Sequence, residues 1–402
     1  MKIAIVVSIL IVACILGAYI NIQLPMYYEY LLREMGIFKL TYNDLDAQKF
    51  IMMRFVLLWI IGMFVLTNNW ARTWFSWVII CLVCHYNTYA LERVHFILFF
   101  LILFQLLRDR LNPKGVTIIF NTICVVALLH IVWMVLQKHG VNFIYYGMAG
   151  HENTPLGVYG NTNNTGALIA LSLPCFFRKK WWIGLLPCFY GLYLASAFVS
   201  VVAASVGILA YIYLTQSKMI LILTLIIILS CVFIYGYTSE NPKNFKDGNK
   251  RIHYWTKIYN EVSLKPVKGH GVGIFKYIFP QIDLTKYKTG SPNNIQDKPT
   301  SFLKAHNDYL ELAFNQGYVG LLLFLGFVFS HISKFARGVK THQGMIAFTA
   351  VAIAMVMSFG HFLIHSTLIL LPSIYLSIMT NQTKEIKDEK IVCGSDYSVP
   401  IL

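Results

Sequence analysis

Three consecutive polar residues, His306-Asn307-Asp308, stand where a polar stretch gives way to a strongly apolar one, in KAHNDYLELAFNQGYVGLLLFLG from Lys304 to Gly326. Histidine is the side chain whose ordinary pKa lies nearest neutrality, so it suits the removal of a proton from a hydroxyl. Asn307 or Asp308 can cap a helix, because a side-chain oxygen there accepts from the free N–H groups of the first turn. Leu310, Ala313, Phe314 and Gly317 follow at helical spacing. His306 is therefore expected at the mouth of a helix that packs against, or dips into, an apolar phase. A titratable group held at that boundary suits chemistry on a substrate carried by a lipid. A capping or merely exposed histidine would occupy the same place, so the elements around it decide between the two.

Those elements belong to a membrane. The chain has 402 residues, is 57% hydrophobic and 13% charged, and has a mean hydropathy of +0.60. The net charge of +15 does not point to nucleic acid, because the positive residues fall in short loops between apolar runs. A span needs about 20 apolar residues, and about twelve candidate runs can be placed: 3–22, 50–67, 74–90, 94–107, 116–136, 163–177, 183–198, 199–214, 219–238, 317–333, 344–361 and 367–380. Runs 183–198 and 199–214 are nearly continuous and need a tight turn near Ser196–Ser200. The first run is read as a retained helix with no cleavage site after it.

With the N-terminus inside, Arg72, the Arg108–Lys114 cluster, Arg178–Lys180, Lys218, the Lys334–Lys340 cluster and Lys384–Lys390 all fall on the cytoplasmic side. The fold expected is thus all-α, a polytopic transmembrane helix bundle of about twelve spans. It comprises an N-terminal membrane bundle over 1–238, a large outer loop over 239–316 between the ninth and tenth spans, C-terminal spans over 317–380, and a polar cytoplasmic tail over 381–402. Inside the loop, Asn249 to Ser263 reads as a helix with Ile252, Trp255, Ile258, Tyr259 and Val262 on one face, followed by a Gly-rich turn, KPVKGHGVGIF. Trp59, Trp70, Trp74, Trp181 and Trp182 read as interfacial belt residues. Cys81 and Cys84 form a CxxC inside an apolar run and read as packing, as does His130. No cysteine lies in the long loop, so no disulfide framework is implied.

Three stretches resemble one known family. HNDYLELAFNQGYVG fits the pattern His-[Asn/Ser/Gln], nine residues, Gly, two residues, [Gly/Thr/Val], with His306, Asn307, Gly317 and Gly320 in place. RIHYWTKIYNEVSLKPVKGHGVGIFKY resembles an Arg-x-x-x-Trp helix followed by a Pro and a Gly-x-Gly turn. GNTNNTGALIALSLP, from Gly160 to Pro174, resembles a Gly-Asn-x-Asn opening to a middle span. Together they resemble the O-antigen ligase and polymerase superfamily, bacterial polytopic glycosyltransferases that include protein O-oligosaccharyltransferases. The resemblance implies a metal-independent enzyme of the bacterial inner membrane, with no cofactor and both termini cytoplasmic. Its expected partners are a polyprenyl-diphosphate-linked oligosaccharide, an acceptor glycolipid, glycan or protein, and the lipid bilayer, with no nucleic acid. Ligation to a lipid core, chain polymerisation and transfer to protein all stay open. A flippase is the reading from another class, but it expects ionisable residues through the span centres, whereas here they cluster at span ends.

Glycan transfer from a diphosphate has needs that follow from its chemistry. The leaving group is already a weak base, so it requires cations to hold its developing charge rather than a strong acid. Arginine binds phosphate through two N–H groups at once, and Arg251 is the candidate. His306 is the candidate base. Asn161, Asn163 and Asn307 are candidate hydrogen-bonding partners of sugar or diphosphate, Lys304 a further cation, and His365 a lining residue near the acceptor. His361 and His365 have a metal-compatible i, i+4 spacing, but no carboxylate or cysteine lies near them in sequence to complete a site. The family often places a Ser-Arg pair at the outer turn after a middle span. Here that turn reads Ser196-Ala197, and an inactive scaffold is one reading of the missing cation. Arg54, inside the run FIMMRFVLLW, is the candidate replacement, because a charge within a span is costly unless it faces a wet cavity or a partner.

Overall fold

The computed structural model describes residues 66–84, 88–141, 161–215, 243–275, 305–338, 340–361 and 367–392, together with 3–9, 11, 12, 155, 157 and 279. Its principal helices are α1 (Asn69–Cys84), α2 (Thr88–Arg110), α3 (Pro113–Lys138), α4 (Thr162–Ser172), α5 (Leu185–Ala195), α6 (Phe198–Thr215), α7 (Lys243–Leu264), α8 (Asp308–Arg337), α9 (His342–Met357) and α10 (Leu370–Val392). Among the described residues there is no strand, as the all-α expectation requires. Three helices, α3, α6 and α8, are long and apolar enough to cross a membrane, and His342–Met357 and Trp182–Ala195 are shorter apolar helices. The expected run 219–238 and most of 50–67 and 3–22 lie outside the described residues.

Local chemistry sets the helix ends. The side chain of Asn112 accepts from the Gly115 N–H at 2.8 Å, with Pro113 in the first turn of α3. Thr341 caps α9 through the Gly344 N–H at 3.1 Å. The turn required between the two continuous runs forms at Ser196, whose left-handed backbone (φ 48°) ends α5 before α6 begins at Phe198. Helix α8 begins at Asp308, where the capping triplet places it, nine residues before the apolar run 317–333. The difference from the sequence reading is its break at Gly317 (φ 70°, ψ 178°), which helical spacing through that glycine does not reveal.

Polar contacts tie the helices together at the basic end of the bundle. His331 of α8 meets the Asn68 amide at 3.2 Å and the Thr380 hydroxyl of α10 at 3.2 Å. The Asn381 amide donates to the Arg108 carbonyl at 2.7 Å and the Leu111 carbonyl at 2.9 Å. The Thr341 hydroxyl donates to Gln382 at 2.7 Å. These contacts bring the basic ends of α2 and α8 together with the starts of α3 and α9. The opposite end of α9 lies about 24 Å away along its axis, and the candidate site forms there.

The break at Gly317 is held by a second chain segment. The Tyr318 N–H donates to the Pro266 carbonyl at 2.7 Å, the His270 N–H to Phe314 at 2.7 Å and the Gly271 N–H to Asn315 at 3.0 Å. A Cβ at Gly317 would stand 2.0 Å from the Val267 carbonyl oxygen, in a backbone region open essentially to glycine alone. Gly317→Ala is therefore expected to destabilise the protein by at least about 1–3 kcal/mol, the range for a forced φ/ψ, and to release the Gly-rich turn. Thermal unfolding in detergent reads this as a clear fall in midpoint, and an unchanged midpoint would remove the kink from its structural role.

Candidate active site

The site is built on the turn that ends α9, residues 358–361. The Asp308 N–H donates to the Ser358 carbonyl at 2.8 Å, which fixes the start of α8 to this turn. The Arg251 guanidinium reaches the Gly360 carbonyl of the same turn at 3.3 Å. His361 closes the turn and is buried. Two distant parts of the sequence, Arg251 and the His306 triplet, are thus brought to one four-residue turn. The Asn307 side chain accepts from the Leu310 N–H at 3.1 Å, so its expected capping role is present and occupies its oxygen. His306 is half-buried with a left-handed backbone, φ 52°, a conformation histidine adopts more readily than most side chains. Asp308 and Glu311 are both buried beside it.

The segment that carries α7 and the Gly-rich turn arrives through packing as well as hydrogen bonds. Tyr254, Ile258 and Val262 of α7 bury themselves with Phe275, Ala313 and Phe314. The His270 ring lies flat on Phe314, with centroids 4.2 Å apart and an interplanar angle of 9°. The buried face of α7 differs from the expected one: Ile252 and Tyr259 are exposed, while Tyr254 and Glu261 are buried. The apolar pattern of this amphipathic stretch supports two overlapping faces, and contact with α8 selects the one running through 254, 258 and 262.

Two tryptophans also take places that composition does not indicate. Trp74 is buried and donates its indole N–H to the Gln316 side chain at 3.1 Å, so it is a packing residue rather than a belt residue. Trp77 donates to the Gln316 carbonyl at 2.9 Å. Trp181 donates to Asn121 at 2.9 Å, whereas Trp70 and Trp182 are exposed, as interfacial residues are. Trp59 lies outside the described residues.

The start of α4 belongs to the same end of the bundle. Asn161 accepts from the Asn163 N–H at 2.8 Å and the Asn164 N–H at 3.4 Å, as an N-cap. Gly166, one turn on, packs against Ala197 and Ser200 of the neighbouring turn and helix, and Val199 packs against Gly360 of the site turn. Asn161 and Asn163 are therefore linked to the site through α6. Arg54, Lys304 and His365 lie outside the described residues. Among the described residues no group of three or more His, Cys, Asp or Glu side chains could hold a metal ion.

An apolar cleft of about 110 Å³ opens beside this turn. Tyr309 and Ser358 stand at the site end, and Trp74, Phe100, Phe324 and Leu376 are among its walls. It lies between α1, α2, α8, α9 and α10. A turn that ends in His361 and receives Arg251 thus borders an apolar slot, an arrangement suited to a molecule with a charged head and a hydrocarbon tail.

Trp255 and Glu311 contribute to this site beyond the sequence-based roles. Trp255 stands in the Arg-x-x-x-Trp stretch, which gave a signal for its importance without a partner. Glu311 gave only the weak signal of an acidic residue in a first helical turn. Comparison with curated proteins finds no match. Residues 162–325 match the family model described as O-antigen ligase. That segment contains the start of α4, the Ser196 turn, Arg251, the Gly-rich turn, His306 and the kink. Over that segment, about two fifths of the chain, the protein is similar to the O-antigen ligase family, in line with the resemblance that the three sequence stretches carry.

Proposed function

We propose that this protein transfers a glycan from a polyprenyl diphosphate donor to an acceptor hydroxyl on the outer face of the bacterial inner membrane, with ligation to a lipid A-core acceptor as the leading reading. The observation that carries it is the meeting of Arg251 and the His306 triplet at one turn beside an apolar cleft. In this reading His306 takes the proton from the acceptor hydroxyl as its oxygen bonds to the anomeric carbon. The bond from that carbon to the diphosphate oxygen breaks, and the electron pair leaves with the diphosphate. Arg251 holds the charge that develops there, and the cleft takes the start of the isoprenoid tail. Arg54 and Lys304 remain the proposed further cations, and Asn161, Asn163 and His365 the proposed sugar or acceptor contacts. A metal has no part in the scheme.

Polymerisation of repeat units and transfer to a protein hydroxyl use the same donor chemistry, so the acceptor alone separates them. A surface glycan profile of a deletion strain distinguishes the leading readings. Loss of capped lipid marks ligation, and a single residual repeat marks polymerisation.

The outward orientation has its own test. Ser263→Cys is expected to react with an impermeant thiol reagent in intact spheroplasts and Lys179→Cys only after lysis; the reverse pattern would remove the outward-facing site. With purified protein and a lipid-linked donor, His306→Ala is expected to lower the rate about 10²–10⁴-fold, the usual range for a lost general base. Retention of full activity would reject His306 as the base. Arg251→Lys keeps the charge but loses the two-pronged geometry, and a substantial rate loss is expected; a variant as fast as the wild type would place diphosphate binding elsewhere.

A further inference from the structure

The backbone around His306 is held at both of its flanking residues. On one side the Glu311 carboxylate accepts from the Ala305 N–H at 3.1 Å. The Ala305 carbonyl, which belongs to the peptide joining it to His306, accepts from the Trp255 indole at 2.9 Å. On the other side the Asn307 carbonyl accepts from the Glu311 N–H at 3.0 Å. Glu311 therefore straddles His306, with its side chain on residue 305 and its backbone on residue 307. Ala305, Asn307 and Glu311 are all buried, so water does not readily replace these bonds. His306 between them has φ 52°, a conformation that persists where the surroundings over-determine it.

From this geometry we infer that Glu311 and Trp255 are positioning residues that hold the His306 backbone in its left-handed conformation and so aim the imidazole. The inference rests on the proposed role of His306 as base. Neither residue is given a proton or a phosphate to handle. Glu311 acts as a hydrogen-bond acceptor, a task that does not require its charge. Trp255 arrives from α7, so the segment carrying Arg251 also sets the histidine. Arg251 and Trp255 lie four residues apart on that helix, one turn of a helical face. Docking α7 on α8 thereby delivers the diphosphate ligand and the histidine clamp in one step. A base must be held within about 0.5 Å of its productive geometry, and a misplacement of about 1 Å can cost 10²-fold in rate.

The test uses the full chain in detergent or nanodiscs, with Glu311→Ala, Glu311→Gln and Trp255→Phe. Hydrogen exchange is read in the peptide covering 304–308, and turnover with a lipid-linked donor is read as kcat and KM. Glu311→Ala and Trp255→Phe are expected to speed exchange in that peptide and to lower kcat about 10- to 100-fold, with KM for the donor little changed. Glu311→Gln keeps an acceptor oxygen and is expected to restore both protection and kcat. If Glu311→Ala does not fold, Trp255→Phe keeps the ring packing, removes the indole–carbonyl bond with the N–H, and carries the test alone. Opened exchange with full kcat would overturn the inference, as would a Gln variant as slow as the Ala variant, which would assign the role to charge. If the wild type transfers no glycan, the proposed function falls, while protected 304–308 amides that open in Glu311→Ala still establish the clamp.

Discussion

The break in α8 at Gly317 is the constraint on which the rest of the site end of the bundle depends. A helix interrupted at the border of an apolar phase leaves carbonyls with no partner in the next turn, and each must find one. Here the Phe314 and Asn315 carbonyls take the N–H groups of His270 and Gly271, and the Gln316 carbonyl takes the Trp77 indole. The turn that supplies two of these donors is rich in glycine for a steric reason. A Cβ at Gly269 would stand 2.6 Å from the Asn315 backbone carbon, and its φ of 68° is left-handed. The two motif stretches, far apart in the chain, are therefore the two sides of a single backbone contact.

That contact explains why the site assembles where it does. Once the Gly-rich turn is seated on the kink, α7 must run back along the first half of α8, and its buried residues 254, 258 and 262 fill the space above Phe314. Arg251 then arrives at the carbonyl of Gly360, and Trp255 at the carbonyl of Ala305. Meanwhile the bundle sets the floor. Helix α9 packs on α6 and α10, and its terminal turn receives the Asp308 N–H. The polar knot at the far end, His331 with Asn68 and Thr380, fixes α8 relative to α10. Buried interhelical hydrogen bonds of this sort contribute of order 1 kcal/mol each, but their geometric effect is larger: they leave α8 one register in which to present Asn307 and Asp308.

Much of this was legible in the sequence, for particular reasons. The capping of α8 by Asn307 followed from a polar side chain placed before a periodic apolar run, and the Ser196 turn from the length that two spans need. The break at Gly317 was not legible, because a glycine at helical spacing reads as part of the helix, and only the turn seated against it reveals the kink. The buried face of α7 was misread because Ile252 and Tyr259 are apolar enough to suggest burial, and only the position of α8 decides between the faces. Trp74 shows the same limit. An indole near a span end reads as interfacial, and nothing local says that a kinked helix across the bundle offers a carbonyl. The carboxylate of Glu311 reaching back to Ala305 depends on the left-handed turn at His306, which sequence does not mark at a histidine.

The turn at Ala197 shows how packing and charge trade against each other. A diphosphate carries at least two negative charges, and the family often supplies an arginine at this position. In this chain Ala197 is buried, and its Cβ lies 2.8 Å from where a Cβ on Gly166 would stand. A glycine facing an alanine lets α4 and the start of α6 approach closely, as small residues do between membrane helices. A guanidinium at 197 would have to leave that contact or push the two segments apart. The same close approach brings Val199 onto Gly360, and so supports the turn that receives Arg251 and Asp308. The missing arginine is thus matched by a tighter floor under the site, and in the proposed function the positive charge comes from Arg251, with Arg54 and Lys304 as the further cations. The geometry that places Arg251 depends on the seat at Gly317.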